Sequence, residues 1–406
     1  MNTSDDLLKS LTQQAMMPQE SMLEVGRKKQ RLYIGIPKET AFQENRVALV
    51  PNSVALLVNL GHEVVVETMA GRRANFVDKD YSEAGAKIAY DTEEVYKADI
   101  ILKVAPPTLE EIDLMQHGQT LLSALQLSIQ PENFLKKLVS KKITAIAYDF
   151  IKDEDGIYPV VRAISEIAGN TSILIASELL SNPHEGRGTM LGGAAGIPPT
   201  EVVILGAGTV GEFATRAALG LGASVKVFDN SIYKLRRLQN DIGRELYTSI
   251  IQPEIISKAL STADVVIGAV RSKKGRTPCV VTSNMVSEMK YGSVIIDVSI
   301  DQGGCFETSR VTNHKEPTFK DYGVVHYCVP NIASRVSRTA SYALSNTFTP
   351  LLIDVGEHGG FEKMLVDDAG VRNGVYIYKG AVTNKYLAET FRLPYKDLNL
   401  LMAAFK

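Results

Sequence analysis

From Arg31 onward the chain alternates short apolar runs with longer stretches of helical periodicity. Tyr33–Ile36, Glu63–Glu67, Asp99–Val104, Thr120–Leu127 and Thr144–Phe150 are rich in Val, Ile and Leu and read as strands. Between them lie segments of helical length. Pro51–Leu60 opens with a proline in a first-turn position, and Asp91–Lys97 precedes Asp99. A second alternating block begins at Glu201, with strands expected at Val202–Leu205, Ser224–Phe228, Ala263–Ala269, Ser293–Val298 and Val324–Val329. Strand, helix and strand in alternation imply right-handed crossovers and mostly parallel sheets. Nearly continuous apolar strands fit sheets covered on both faces.

Two long helical stretches join the blocks, Pro159 to Leu180 and Val336 to Val355; after Gly359 the pattern reads as mixed helix and loop without further repeats. This arrangement predicts an α/β protein of two doubly wound domains. One is discontinuous (31–159 and 338–406), and the other (160–337) is inserted into it, leaving a cleft where small-molecule sites preferentially lie. Residues 1–30 stand apart as an extension. Leu7, Leu8, Leu11 and Ala15 fall at helical spacing, so this segment is either a short amphipathic helix or a frayed tail.

Composition narrows the function classes. In 406 residues there are 44 Lys and Arg against 46 Asp and Glu, a net charge of −2. No general basic field exists to condense onto nucleic acid or anionic lipid. No apolar run approaches the roughly 20 residues of a membrane helix. The first 30 residues carry Asp5, Asp6, Glu20 and Glu24 with no continuous apolar block, which argues against a signal peptide. Three cysteines, Cys279, Cys305 and Cys328, lack CxxC spacing, which excludes a disulfide framework and points to a reducing compartment. The six histidines show no HExxH spacing, and no metal site is expected. A cytoplasmic enzyme acting on a small molecule is the class that remains.

The strongest motif follows the first strand of the second block. Gly206-Ala207-Gly208-Thr209-Val210-Gly211 opens an apolar helix. Gly206 permits a tight turn, Gly208 lets backbone approach a pyrophosphate, and Gly211 lets helix pack close on strand. The helix N-terminus then offers N–H groups and a positive dipole end to phosphates. Asp229 ends the next strand, where a carboxylate accepts hydrogen bonds from an adenosine ribose and repels a 2′-phosphate. The set implies a Rossmann domain binding NAD rather than NADP, with Lys234, Arg236 and Arg237 nearby.

Segments outside this loop carry a wider resemblance. They are Gly35-Ile36-Pro37-Lys38-Glu39 with Arg46-Val47-Ala48-Leu49, Leu102-Lys103-Val104, the run from Asp297 to Cys305, Tyr327 to Asn331, and Tyr342 to Asn346. Together, in order over roughly residues 31–390, they resemble the alanine dehydrogenase and pyridine nucleotide transhydrogenase superfamily. The resemblance implies reversible NAD-dependent oxidative deamination of L-alanine to pyruvate and ammonium, in a homo-oligomer, a hexamer by analogy.

Arg46 matches the family's substrate arginine, and its planar fork suits a carboxylate; the alternative is an ion pair with Glu39 or Glu44. Lys103, at the end of an apolar strand, matches a lysine that polarises the substrate; the alternative is an edge lysine snorkelling to solvent. Asp301 lies beyond the carboxyl end of a parallel strand and matches a catalytic carboxylate, or it caps the Gln302-Gly303-Gly304 turn. Gln126 stands where alanine dehydrogenases usually place a histidine. It can orient a substrate by hydrogen bonding but cannot titrate near neutrality. Further cofactor contacts implied by matching position are Ser165 and Asn331 near the nicotinamide, Ile332 beside Asn331, Val270 over adenine or ribose, and Lys234 at the ribose. The glutamine leaves other readings open: another small amino or imino acid as substrate, a transhydrogenase-like role, or an NAD-binding protein without turnover.

Overall fold

The computed structural model describes residues 29–126, 130–272 and 276–403. The proposed amphipathic helix at Leu7–Ala15, together with Leu127, Lys273 and Lys274, lies outside the described residues.

Two mostly parallel sheets organise the chain. The first contains β1 (Tyr33–Ile36), β2 (Glu63–Glu67), β3 (Lys87–Ala89), β4 (Ile100–Leu102), β5 (Thr120–Ser123) and β6 (Thr144–Ala147). The second contains β7 (Glu201–Leu205), β8 (Ser224–Phe228), β9 (Tyr247–Ser249), β10 (Val265–Gly268), β11 (Val294–Asp297), β12 (Thr318–Asp321) and β13 (Val324–Tyr327). The chain then returns to the first sheet with β14 (Val375–Tyr378) and β15 (Ala381–Val382). The strand orders are 15-14-6-5-4-1-2-3 and 12-13-11-10-7-8-9. All neighbours are parallel except β12 with β13, β14 with β6, and β14 with β15.

Period-two side-chain alternation accounts for the layers. Val202 and Ile204 of β7 pack into one cluster with Ala214 and Ala218 of the helix Thr209–Gly220; Val203 and Leu205 pack into the opposite cluster with Ile256 and Leu260. In β1, Ile34 and Ile36 face a core that includes Leu344, Phe348, Leu352 and Val355 of the long helix Ser337–His358. Those four positions repeat at helical spacing, so this helix buries one stripe under the first sheet. The other linking helix, Pro159–Leu179, packs against the second sheet through Ile173, Ala176 and Leu179.

Two expectations are corrected. The strand predicted to run to Leu127 stops at Ser123, the last residue paired with β6, and Gln126 adopts a left-handed φ of 45°, which no strand accommodates. The segment after Gly359, expected to be helix and loop alone, supplies the antiparallel pair β14 and β15; Val375 and Ile377 extend the sheet beyond β6 and cover what would be an open edge. The short strands β3, β9 and β12, not anticipated from pattern, lie at or near sheet edges.

Candidate active site

The carboxyl ends of the parallel strands in both sheets carry nearly every candidate residue. In the second sheet, β7 delivers the chain into the glycine loop. Gly206 has φ +111°, and a Cβ on it would sit 2.4 Å from the carbonyl oxygen of Ala269. A Cβ on Gly211 would meet the carbonyl oxygen of Gly206 at 1.8 Å, so strand and helix touch backbone to backbone there. Gly208 is different: a Cβ there meets nothing within 4 Å, leaving the loop's outer surface open to a ligand. No side chain caps the helix that begins at Thr209, so its first-turn N–H groups, those around Thr209 and Val210, remain available to an anion. Ala207 is buried beneath the loop.

Asp229, buried at the end of β8, accepts the Ala207 N–H at 2.8 Å and the Ser231 N–H at 2.8 Å. Lys234 lies 3.6 Å from the same carboxylate. Asp229 thus braces the glycine loop while lying where a ribose would be met. Val270 follows β10, half-buried, beside the Cβ-less face of Gly206. Ser165 is half-buried on the linking helix Pro159–Leu179.

In the first sheet, Arg46 lies in the connection after β1. Three successive amides hold this loop: Asn45 N–H donates to Ser334 Oγ at 2.9 Å, Arg46 N–H to Glu44 Oε1 at 3.0 Å, and Val47 N–H to Ser341 Oγ at 2.9 Å. The Arg46 guanidinium is largely enclosed and donates from Nε and Nη2 to the two carboxylate oxygens of Glu44, at 2.7 and 2.6 Å. Burial works against both charges, but their mutual attraction outweighs it, holding the Glu44 carboxyl below and the guanidinium above their ordinary ranges. The ion pair with Glu44 is therefore real. Because it uses only the Nε–Nη2 edge, the Nη1–Nη2 edge remains for a second carboxylate. Beside it is a cavity of about 240 Å³ lined by Lys38, Glu39, Glu44, Arg46, Arg72 and Arg73, four cations against two anions.

Lys103, directly after β4, is fully buried, which overturns the snorkelling alternative. Its ammonium lies 3.4 Å from Glu39 Oε2 and 3.1 Å from Glu111 Oε1. Burial alone would lower the lysine pKa; the two carboxylates outweigh that and raise it. Glu39 also accepts the Val104 and Ala105 N–H groups at 2.6 and 3.3 Å, and burial pushes its own pKa up. Pattern gave no hint of Glu39 and Glu111 as partners of Lys103, because the pairing depends on which strands are neighbours.

Asp301 sits in a single 3₁₀ turn, Val298–Gln302, immediately after β11. Water reaches its carboxylate, but protein encloses most of the recess, and this burial raises its pKa; the Asn331 N–H, 3.3 Å from Oδ1, and the charge of Arg46 oppose the shift. Asn331 is in the left-handed region (φ 57°), which asparagine tolerates, and its side-chain amide donates to Glu44 Oε2 at 2.8 Å. Ile332, next in sequence, is buried. The structure therefore joins Arg46, Asn331 and Asp301, drawn from both sheets. It does not join Gln126 to them: that side chain is exposed, beyond β5, with no hydrogen bond to Arg46, Lys103 or Asp301 among the described residues.

A further carboxylate, missed from the sequence, is Asp149, two residues beyond β6. It is partly exposed yet largely enclosed, and burial pushes its pKa up to about 6, against the charges of Arg46 and Arg271. A carboxyl raised in the folded state binds a proton between pH ~4 and ~6 that the unfolded chain has released. Stability is therefore lost as pH rises through that window. Asp149→Asn is expected to stabilise the protein by about 1–3 kcal/mol at pH ~8 and to have little effect at pH ~4, measured by denaturant unfolding at the two values.

Comparisons with known proteins bear on the family and the fold. The description "Alanine dehydrogenase/PNT, N-terminal domain" matches residues 35–168, and "Alanine dehydrogenase/PNT, C-terminal domain" matches residues 172–385. The alanine dehydrogenase of Halomonas elongata is 39% identical over 365 residues, spanning 90% of this chain and 98% of the relative. A solved structure of an L-alanine dehydrogenase superposes with a TM-score of 0.84 at 37% identity, covering 88% of this chain and 99% of the other. A transhydrogenase from Sinorhizobium meliloti shares the fold, with a TM-score of 0.74 at 24% identity over 87% of this chain and 99% of its own. Among the described residues no helix is long and apolar enough to cross a membrane. The chain belongs to the alanine dehydrogenase/PNT family.

Proposed function

We propose that this protein catalyses the reversible, NAD-dependent oxidative deamination of L-alanine to pyruvate and ammonium. The observation that carries the proposal is the convergence of Arg46, Asn331 and Asp301 from two sheets, with the open glycine loop on the second and Lys103 held charged on the first. Near-full-length identity to an alanine dehydrogenase supports the choice of substrate.

The residues present fit a dinucleotide. The open face of Gly208 and the uncapped helix start would take the pyrophosphate, and Asp229 with Lys234 the adenosine ribose. Asp229 favours NAD, since a 2′-phosphate would meet its buried carboxylate. Val270 would cover the adenosine end, and Ser165, Asn331 and Ile332 would flank the nicotinamide. When bound, the cofactor supplies a hydride acceptor.

The chain's own work is orientation and proton handling. The free edge of Arg46 binds the substrate carboxylate. Lys103 cannot readily lose its proton between two carboxylates, so it acts as a fixed cation that polarises the substrate oxygen. Once Cα has lost its hydride, water adds to the iminium carbon, the carbinolamine formed collapses to pyruvate as its hydroxyl proton passes to the departing amine, and the water addition releases one proton. Asp301, whose pKa burial raises above that of an ordinary aspartate, accepts it. Gln126, without a titratable group, leaves this task to the carboxylate.

Purified protein with L-alanine and NAD should develop the absorbance of reduced nicotinamide, faster than with glycine or serine and faster than with NADP. Faster turnover with another amino acid would reassign the substrate. Binding of NAD without turnover of any of them would overturn the catalytic reading.

A further inference from the structure

Glu44 is more than the partner of Arg46: its carboxylate is the junction between the two sheets. One oxygen takes Nε of Arg46 at 2.7 Å; the other takes Nη2 at 2.6 Å and also the side-chain amide of Asn331 at 2.8 Å. Asn331 in turn gives its backbone N–H to Asp301 at 3.3 Å. The segment around Glu44 is bound on both sides. Ser334 Oγ donates to the Gln43 carbonyl at 2.8 Å while accepting from Asn45, and Arg73 donates to the Glu44 carbonyl at 3.0 Å. Glu44 itself is 3% exposed, so it is not a solvated rim charge.

From this geometry we infer that Glu44 is a positioning residue that couples the substrate arginine to the catalytic carboxylate. It fixes the Nε–Nη2 edge of Arg46 so that the opposite edge faces the substrate, and it anchors Asn331, and through it Asp301, to the same point. The two halves of the site are thereby registered on one buried carboxylate. Hydride transfer and water addition depend on such registration, because small displacements of reacting groups cost large factors in rate. Arg46 satisfied by substrate alone would be free to swing about its long side chain; satisfied by Glu44 as well, it presents one orientation.

This assignment rests on the reading of Arg46 as the substrate-carboxylate residue, so its test has one arm that needs no turnover. In the unliganded protein, hydrogen exchange is compared between wild type and Glu44→Ala. The amides of Asn45, Arg46 and Val47 and the segment Asn331–Val336 are expected to exchange faster together in the variant, with the glycine-loop helix unchanged. Loss of protection in the Arg46 segment alone overturns the coupling. In the kinetic arm, Glu44→Ala is expected to lower kcat/KM for alanine at least tenfold, with the KM for NAD within about twofold of wild type. The double variant Glu44→Ala/Asn331→Ala should lose clearly less than the product of the two single losses, since both break the contact between Glu44 and Asn331. Multiplying losses, or an unchanged kcat/KM in Glu44→Ala, overturns the assignment. Uniform loss of protection across both sheets would mark a purely structural role and would also overturn it. Absence of alanine turnover in the wild type would overturn the alanine reading while leaving the exchange arm to decide on Glu44.

Discussion

Replacing Arg46 with alanine is expected to lower kcat/KM for L-alanine by about 30- to 3,000-fold while leaving NAD affinity nearly unchanged. The magnitude follows from the loss of a bidentate, charge-assisted contact in a largely enclosed site, which costs about 2–5 kcal/mol, and each 1.4 kcal/mol is about tenfold. The guanidinium is 11% exposed in its side chain and flanked by a cavity in which cations outnumber anions, so water does not replace it cheaply. Arg46→Lys is the informative companion. It keeps the charge but loses the fork, and an ammonium cannot pair with Glu44 along one edge while presenting another to substrate. It is expected to recover only part of the loss, mainly in KM. Steady-state kinetics with varied alanine and, separately, varied NAD test both variants. Turnover within fivefold of wild type in Arg46→Ala would remove the arginine from the substrate site.

Asp301→Asn should act on the other kinetic parameter. Asparagine retains a carbonyl oxygen for the Asn331 N–H but cannot take a proton from water, so kcat is expected to fall about 10²–10⁴-fold with a smaller change in the KM for alanine. The wild-type pH profile carries the matching signature. Burial raises the Asp301 pKa, so activity in the deamination direction is lost on the acid side at a pH above that of an ordinary aspartate. The limb is expected to be absent from the residual activity of Asp301→Asn. If it persists unchanged, it belongs to another group, of which Asp149 is the first to examine by the same substitution.

The features legible in the sequence are those governed by local pattern. The two alternating blocks, the two linking helices and the glycine loop each depend on residues within one strand or one turn, and the strand-end positions of Lys103 and Asp301 follow directly. The parts that were not legible depend on which strands become neighbours. The snorkelling alternative for Lys103 falls only when β4 is seen next to β1 and β5, with Glu39 and Glu111 closing over it. Glu44 reads as a surface charge until Asn331, from the other sheet, is found on it. Asp149 falls inside the run Thr144–Phe150 that reads as strand, and only the end of β6 at Ala147, followed by a 3₁₀ turn, sets its carboxylate beyond the sheet. The left-handed turn at Gln126 likewise has no glycine to announce it. β14 and β15 were missed because short antiparallel strands after the last crossover carry too few residues for periodicity to register.

On the proposed function, a nucleotide on the glycine loop takes a hydride directly from the Cα of an amino acid tethered by Arg46. This transfer is tested most directly with L-alanine deuterated at C2 and unlabelled NAD, followed by mass spectrometry and NMR of the reduced cofactor. Direct transfer puts one deuterium in the nicotinamide, on a single face of C4, and none in the solvent. Reduced cofactor without deuterium, or deuterium distributed over both faces, would contradict it.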